Sequence, residues 1–554
     1  MILSRHGANI DQVTSDTSRN FAVAAAVASM IALAATAPGI PIVWDEGEYL
    51  YRADRLIAWF RLVGDFGSAQ GGLHAFSDAA IRDHWLFITY SEGHPAWAAI
   101  PIALAKWLLT GILHPLTAAR IGTIAIFSLG CGAVAFRLRS AYGPVAATVA
   151  VIALVTFPRI FSEAHFATLD AQLTAWWLML WAADASSRSD VRSTIGAGIL
   201  AGLTTATKFT GWLAWGPLVV SRLLTRDRWR RFGLLVVIPV GLLTFCVVNP
   251  PLWHHPLDAM VTHFRLNLNR VNTFNITISF LGRVYDMRHP LPWYNTIGWL
   301  VLVTPVPLLG LGAIGLTHCL RVRDTISISL ALHWATLMVV RALPNAPPHD
   351  GIRLFLPAFG FWCVFAGIGA HQLWHATRAQ GVLRSPLLVR LAIVVSLAAE
   401  VITLARYYPQ TLSHYSLLVG GVSGASRLGM EPTYWWDALD TDVLTWINEN
   451  TEPGAAVAFS STANISQIRE WGRLRVPQAD LRSGVFKWYV LQNRTGFLGE
   501  VDRLLMRTTK PAYTKFAGRR PAGSAVPPDL DVPLLLIFKG DEFKAAVHTV
   551  YGTK

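Results

Sequence analysis

Long apolar stretches alternate with short arginine clusters, and this pattern leaves the chain few ways to fold. Residues 232–257, 294–320 and 354–377 contain no Asp, Glu, Lys or Arg. Each is long enough to cross a hydrocarbon core, which takes roughly 20 apolar residues. Between such stretches lie Arg137 and Arg139, Arg188 and Arg192, the run from Arg222 to Arg231, Arg321 and Arg323, and Arg378 and Arg384. Loops left on the cytoplasmic side of a membrane carry this basic excess. The pattern also explains a net charge of +13 in a chain with only 15% charged and 53% hydrophobic residues. A soluble domain carries about 25% charged residues, and a disordered chain is far less apolar. A nucleic-acid binder gathers its basic residues on one face, whereas these are spread between spans, so no nucleic-acid partner is expected. Cys131, Cys246, Cys319 and Cys363 sit in or beside apolar stretches without metal-ligand spacing and read as small buried hydrophobes.

Threading follows from charge. Residues 1–20 are polar and expected to be cytoplasmic. The run 21–43 is the first span. Ala35-Thr36-Ala37 resembles a signal-peptidase site, but Pro38 directly behind it disfavours cleavage, so an uncleaved anchor is expected. With the arginine clusters inside, the sequence threads consistently if 96–113 does not cross. Lys106 in the middle of that stretch is costly at mid-membrane and stays wet in a helix lying in the interface. About eleven spans result. The alternative is that 96–113 crosses and another short stretch does not. The stretch 193–221 reads as a hairpin with Lys208 at its outer tip, because a single long helix would put Arg222–Arg231 outside. The expected architecture is a polytopic α-helical membrane protein with a body over 21–405. An outer loop spans 44–95, and a small extracytoplasmic α/β domain covers 406–554. In that tail, residues 486–492 and 533–539 look strand-like and 441–448 helical.

The outer face collects the chemistry. Loop 44–95 has eight acids against four arginines and opens with Trp44-Asp45-Glu46-Gly47-Glu48. Adjacent carboxylates at a span end can supply a general base or hold a cation. Alternatively, Asp45 caps a helix whose dipole Glu46 and Glu48 complement. His94, in Ser91-Glu92-Gly93-His94-Pro95, is a candidate anion or proton contact, or a solvated interfacial histidine. Residues 157–170 hold Arg159, Glu163, His165 and Asp170 between two apolar stretches, as site groups or as anchors. Lys106 and Lys208 are the two lysines in the first 486 residues. Lys208, beside Thr207 and near Gly211, suits a phosphate. In Pro348-His349-Asp350-Gly351-Ile352-Arg353, Arg353 is placed to give a bidentate contact, or to snorkel as an interface anchor. Acids and cations on one outer face suit transfer from a lipid phosphate: cations stabilise the departing phosphate and a carboxylate deprotonates the attacking hydroxyl. A transporter or flippase is the other reading, but it would place ionisable groups at mid-membrane on repeat-related broken helices, and no repeat is visible.

The order of Asp45-Glu46 after the first span, His94-Pro95, Arg120 opening a span, Asp170 after a Pro-Arg segment, and Thr207-Lys208 resembles the GT-C glycosyltransferases. The protein O-mannosyltransferase and aminoarabinose-transferase group is the nearest. The resemblance covers about residues 20–375. A later stretch, from Tyr407-Tyr408 to Trp435-Trp436, looks like a segment of bacterial relatives, as an acceptor cover or an aromatic linker. The resemblance implies a polyprenyl-phosphate-linked monosaccharide donor and an inverting displacement onto a lipid, glycan or protein acceptor, in the plasma (inner) membrane with the site facing outward. It puts the base at Asp45 and maps Glu46 and Asp170 onto family acids. Lys208, His94, His165, His349, Asp350 and Arg353 form the substrate-binding set. His94 departs from the aminoarabinose transferases, where a Lys precedes the Pro. No cofactor is implied, although the Asp45/Glu46 pair leaves room for a divalent cation.

Overall fold

The computed structural model describes residues 2–65, 67, 72–89, 93–185, 190–269, 276–379, 386–460, 474–519 and 524–552. Arg188, Arg384, Ser91 and Glu92, named above, lie outside the described residues. Helix α1 runs Ile2–Thr36, so it starts within the polar segment and stops short of Val43. Pro38 enters a 3-10 turn, Ala37–Gly39, and the chain then leaves Ile40 in an extended conformation. After α2 (Glu46–Val63), α3 (Asp78–Thr89) and α4 (Ala99–Leu109) come α5 (Pro115–Ala141), α6 (Pro144–Thr156) and α7 (Pro158–His165). These are followed by α8 (Asp170–Asp184), α9 (Val191–Thr207) and α10 (Trp215–Leu224). Next are α11 (Arg228–Phe232), α12 (Leu234–Val247), α13 (Pro256–Leu268) and a two-stranded ribbon, β1 (Ile278–Phe280) with β2 (Arg283–Tyr285). The body closes with α14 (Asn295–Val303), α15 (Val306–Val322), α16 (Thr325–Ala342), α17 (Leu356–Ala379) and α18 (Pro386–Tyr407).

Among the described residues, six helices are long and apolar enough to cross a membrane, or seven if the α6–α7 pair, bent by 69°, counts as one. Helix α4 has 11 residues, a rise of about 16 Å, half of what a hydrocarbon core requires. The expectation of a wet Lys106 fails. Its side chain is 4% exposed and its ammonium is ion-paired to Asp54 of α2, because α4 packs against α2 and removes the lysine from solvent. Helices approach closely where side chains are smallest: a Cβ on Gly315 would stand 1.9 Å from the Phe365 carbonyl oxygen, and one on Gly369 2.0 Å from that of Leu311.

Charge separates along the bundle. At the end of α8, buried Asp184 accepts from Arg222 Nε at 2.7 Å and is ion-paired with Arg230 at 3.4 Å. Arg137 Nε donates to the Ala182 carbonyl at 2.8 Å. The opposite end of α8 carries Asp170, bound to Lys208. Thus α9 and α10 reverse between the two levels, as the hairpin reading requires. Gly211 permits the reversal, since a Cβ there would lie 2.1 Å from the Thr204 carbonyl oxygen.

Beyond α18, an irregular strap leads through α19 (Gly421–Arg427) to α20 (Thr441–Glu449) and a four-stranded sheet. The sheet has β3 (Val457–Phe459), β4 (Trp488–Gln492), β5 (Tyr513–Lys515) and β6 (Leu535–Lys539) in the order β3-β4-β6-β5. The strand-like and helix-like runs of the tail are β4, β6 and α20. The β3–β4 pairing is parallel and the other two are antiparallel. Alternation along β4 divides its faces. Trp488 and Val490 join the main core, while Tyr489 and Leu491 pack with Val501 and Leu505 of α21 (Glu500–Thr508) and with Ala546 of α22 (Gly540–Tyr551).

Asp184→Asn strips two buried guanidinium groups of their counter-charge and should lower stability by about 3–5 kcal/mol. A fall in the unfolding temperature of the purified protein checks this.

Candidate active site

Arg353 gathers the site. It opens a 3-10 turn, Arg353–Phe355, that feeds α17. Its Nε donates to Asp170 Oδ2 at 2.9 Å, its Nη1 to Asp350 Oδ2 at 2.9 Å, and its Nη2 to Asp45 Oδ2. Asp170 uses its other oxygen to accept from Lys208 Nζ at 2.5 Å. Lys208 stands where α9 ends in extended backbone. The guanidinium lies over the Trp435 ring, 3.6 Å from its centroid. Exposure separates the acids: Asp170 is 2% exposed, whereas the Asp45 side chain retains 28%. Asp45 holds the N-cap position of α2, yet its side chain makes no capping bond. The carboxylate is spent on Arg353 instead.

The two neighbouring acids diverge. Glu46 is fully buried and accepts from Arg120 Nε at 2.8 Å and Nη2 at 2.6 Å, and from the backbone of Val43 and Ala167. Arg120 also donates to the carbonyls of Ala37, Ile40 and Pro41. Glu46 therefore ties the α1–α2 connection to α5 and is not brought to the Arg353 cluster. Successive residues of a helix point about 100° apart, so Asp45 and Glu46 meet different arginines and do not form a chelating pair. Among the described residues, no three His, Cys, Asp or Glu side chains are gathered to hold a metal. The other acids of loop 44–95 are largely paired locally: Asp83 with Arg55, Asp78 with Arg82 and Asp54 with Lys106.

His165 is also directed elsewhere. Its Nε2 lies 2.9 Å from both the Leu33 carbonyl and Thr36 Oγ1, at the end of α1. His94 is buried on the segment before α4, where Gly93 accepts from Asn267 of α13. One turn along α13, His263 packs on Phe209, the residue after Lys208, so His94 and Lys208 flank the same helix. Asp350 belongs to the cluster and has a left-handed backbone, φ 62°. Burial would raise its pKa, but the charges beside it hold the carboxyl well below the usual range. Burial pushes adjacent His349 down to about 4, so at neutral pH its ring is uncharged and Arg494 and Arg353 supply the effect. His349 Nδ1 has no hydrogen-bond partner among the described residues.

Sequence reasoning left two contributors out, both from the tail. Arg494 Nη2 donates to Asp350 Oδ1 at 3.2 Å and its Nε to Glu431 Oε2 at 3.2 Å. Trp435 covers the Arg353 guanidinium. The strap that carries it packs into the body: Trp44 N–H donates to the Trp435 carbonyl at 3.1 Å, Arg159 Nε donates to the His414 carbonyl at 3.0 Å, and the Arg159 guanidinium lies over the rings of Tyr415 and Tyr434. Trp435 and Trp436 both have left-handed backbone, φ 53° and 65°, a strain of about 1–3 kcal/mol each that tight packing must hold. The Trp-Trp doublet was a visible signal for the strap. Nothing local marked Arg494. Glu163, noted only as a charge between apolar stretches, is buried beneath the cluster with Oε2 unpartnered among the described residues.

Neither a family model nor a curated protein sequence matches the chain. Solved structures do. The apo structure of ArnT from Cupriavidus metallidurans is 15% identical, covers 94% of this chain and 98% of that one, and superposes with a TM-score of 0.50. The archaeal oligosaccharyltransferase AglB from Archaeoglobus fulgidus, in complex with an inhibitory peptide and a dolichol-phosphate, is 12% identical, covers 85% and 69%, and scores 0.46. The chain shares the fold of that ArnT structure over nearly its whole length. The resemblance stated from the sequence thus holds at the level of fold, and several helices of membrane-crossing length fit a multi-pass membrane protein.

Two outcomes follow for Asp45 and Glu46. Glu46→Gln leaves Arg120 buried without its counter-charge and should cost about 3 kcal/mol or more. Asp45→Asn, at a part-exposed carboxylate, should change the unfolding temperature little, and comparing the two melting curves checks both. In the strap, burial raises Asp437 from 3.8 to about 6, against hydrogen bonds from Thr433 and Ser413. The folded state therefore holds this proton more tightly than the unfolded chain. The resulting stabilisation is complete below pH 4 and is lost as pH rises through 6. Relative to Asp437→Asn, the wild-type unfolding temperature should fall across that window.

Proposed function

We propose that the protein is a membrane glycosyltransferase that moves a monosaccharide, hexosyl or pentosyl, from a polyprenyl-phosphate donor to an acceptor hydroxyl. The observation that carries this reading is the meeting of Asp45, the part-exposed carboxylate, with Arg353, Asp170 and Lys208 at the end of the bundle opposite the arginine clusters. The fold, shared with ArnT, agrees with it. The acceptor is a lipid, a glycan or a protein, and the site faces the extracytoplasmic side of the plasma membrane.

Asp45 takes the proton of the acceptor hydroxyl. The hydroxyl oxygen bonds to the anomeric carbon as the bond to the phosphate oxygen breaks on the opposite face, so configuration inverts. Lys208 and Arg353 receive the charge developing on the lipid phosphate. Asp170 binds both cations, one through each oxygen. Before the donor arrives, Arg353 is shared among three carboxylates. A phosphate that draws on the guanidinium loosens its hold on Asp45. Glu46 acts through the backbone, fixing the turn from which α2 and Asp45 start.

Asp45→Asn should abolish transfer, with donor binding nearly unchanged, as read by mass spectrometry of glycans and glycolipids from cells with and without the variant. Full activity in that variant removes the base. Lys208→Ala should weaken the binding of undecaprenyl phosphate at least tenfold, and unchanged affinity removes Lys208 from the phosphate site. Lipid translocation with no glycosylated product supports a flippase instead.

A further inference from the structure

We infer that Arg494 of the carboxy-terminal domain is a positioning residue for the catalytic base: through Asp350 and Arg353 it sets the electrostatic state of Asp45. The inference rests on the reading of Asp45 as the base.

The geometry is a continuous relay. Arg494 meets Asp350 Oδ1 at 3.2 Å, Asp350 Oδ2 meets Arg353 Nη1 at 2.9 Å, and Arg353 Nη2 binds Asp45. Every link is a charged pair, and Arg494, Asp350 and Arg353 are all shielded from solvent, where Coulomb interactions are screened least. Asp350 uses one oxygen for each arginine, so the two cations share its charge. Without Arg494, Asp350 has Arg353 as its remaining ion pair among the contacts described. Two consequences follow, and they have the same sign. One positive charge leaves the neighbourhood of Asp45, and Asp350 claims more of the guanidinium that Asp45 and Asp170 also use. Asp45 becomes less stable as an anion.

The other charges facing Asp45 do not replace this control. Asp170, from α8, is bound by both Lys208 and Arg353, and Glu163 of α7 lies buried beneath the same cluster, so neither acid is a source of positive charge. On its own helix lie Glu48 and Tyr49, with Arg52 over the Tyr49 ring and 3.5 Å from Glu48. Glu431 faces Arg494 from the strap and is held also by the backbone N–H groups of Ser279 and Gly496. Arg494 is the cation that comes from beyond the strap, and it brings the folded sheet domain into the charge balance of the Arg353 cluster. Arg406, in contrast, ties the end of α18 to Asp529 of the tail at 2.7 Å without touching the relay.

Carbodiimide coupling measures this without any knowledge of the sugar. The reagent reacts with protonated carboxyls, and Asp45 is exposed enough to be reached. Labelling of the Asp45 peptide by carbodiimide and glycine ethyl ester is followed by mass spectrometry from pH 4 to 8, on full-length protein in detergent. The comparison covers wild type, Arg494→Ala, Arg494→Lys and Arg406→Ala. The expected result is a rise in the Asp45 midpoint in Arg494→Ala, seen as at least a threefold gain in labelling near pH 6, with substantial recovery in Arg494→Lys and none of the effect in Arg406→Ala. A midpoint unmoved in Arg494→Ala overturns the relay. An equal shift in Arg406→Ala also overturns it, because loosening of the tail then suffices. Melting curves of each variant show whether it is folded. The Asp45→Asn product assay reports separately on the base: if that variant is active while Arg494→Ala shifts the midpoint, the coupling stands and the catalytic reading falls.

Discussion

Arg353 carries three carboxylates at once, and the arrangement of the site depends on that one guanidinium. Asp45 comes from the first connection, Asp170 from the start of α8 and Asp350 from the turn before α17. Three acids so close would repel one another strongly in a low-dielectric setting, and a single fork-shaped cation holds them together. The Trp435 ring seals one face of the guanidinium. A charge shared this widely is stable at rest, yet it can be redistributed by one further anion.

The rest of the fold keeps this cluster in register. Glu46 and Arg120 lock the start of α2 to α5, so Asp45 leaves the turn in a fixed direction. The reversal at Lys208 and Gly211 returns the chain toward Asp184 while leaving the lysine beside Asp170. The Asp184–Arg222–Arg230 cluster anchors the far end. Helix α8, 15 residues and about 21 Å from end to end, separates the two charge clusters and lets one helix define both levels.

The tail is part of this system. The strap after α18 lies against Arg159, Trp44 and Arg353, and the sheet domain adds Arg494. A segment read from the sequence as an acceptor cover or an aromatic linker packs against the Arg353 cluster. Its doublet of left-handed tryptophans is tolerated because both indoles are buried, Trp435 against Phe166 and Arg353 of the body and Trp436 against Phe459 of β3.

The sequence by itself determined the class of the molecule and the ends of the helices on which charge sits. Apolar stretches of spanning length and arginine clusters are local signals, and a charge within a span is so costly that Asp45, Asp170, Lys208 and Arg353 had few places to be. What only the tertiary structure decided is which of these residues face one another. Asp45 and Glu46 are adjacent in sequence, yet a rotation of about 100° sends one to Arg353 and the other to Arg120. Lys106 looked like an interfacial charge until packing of α4 on α2 buried it against Asp54. Arg494 lies 144 residues from Asp350. No periodicity or spacing records such a pairing, because it arises from how the sheet domain docks and not from any property of the chain around it.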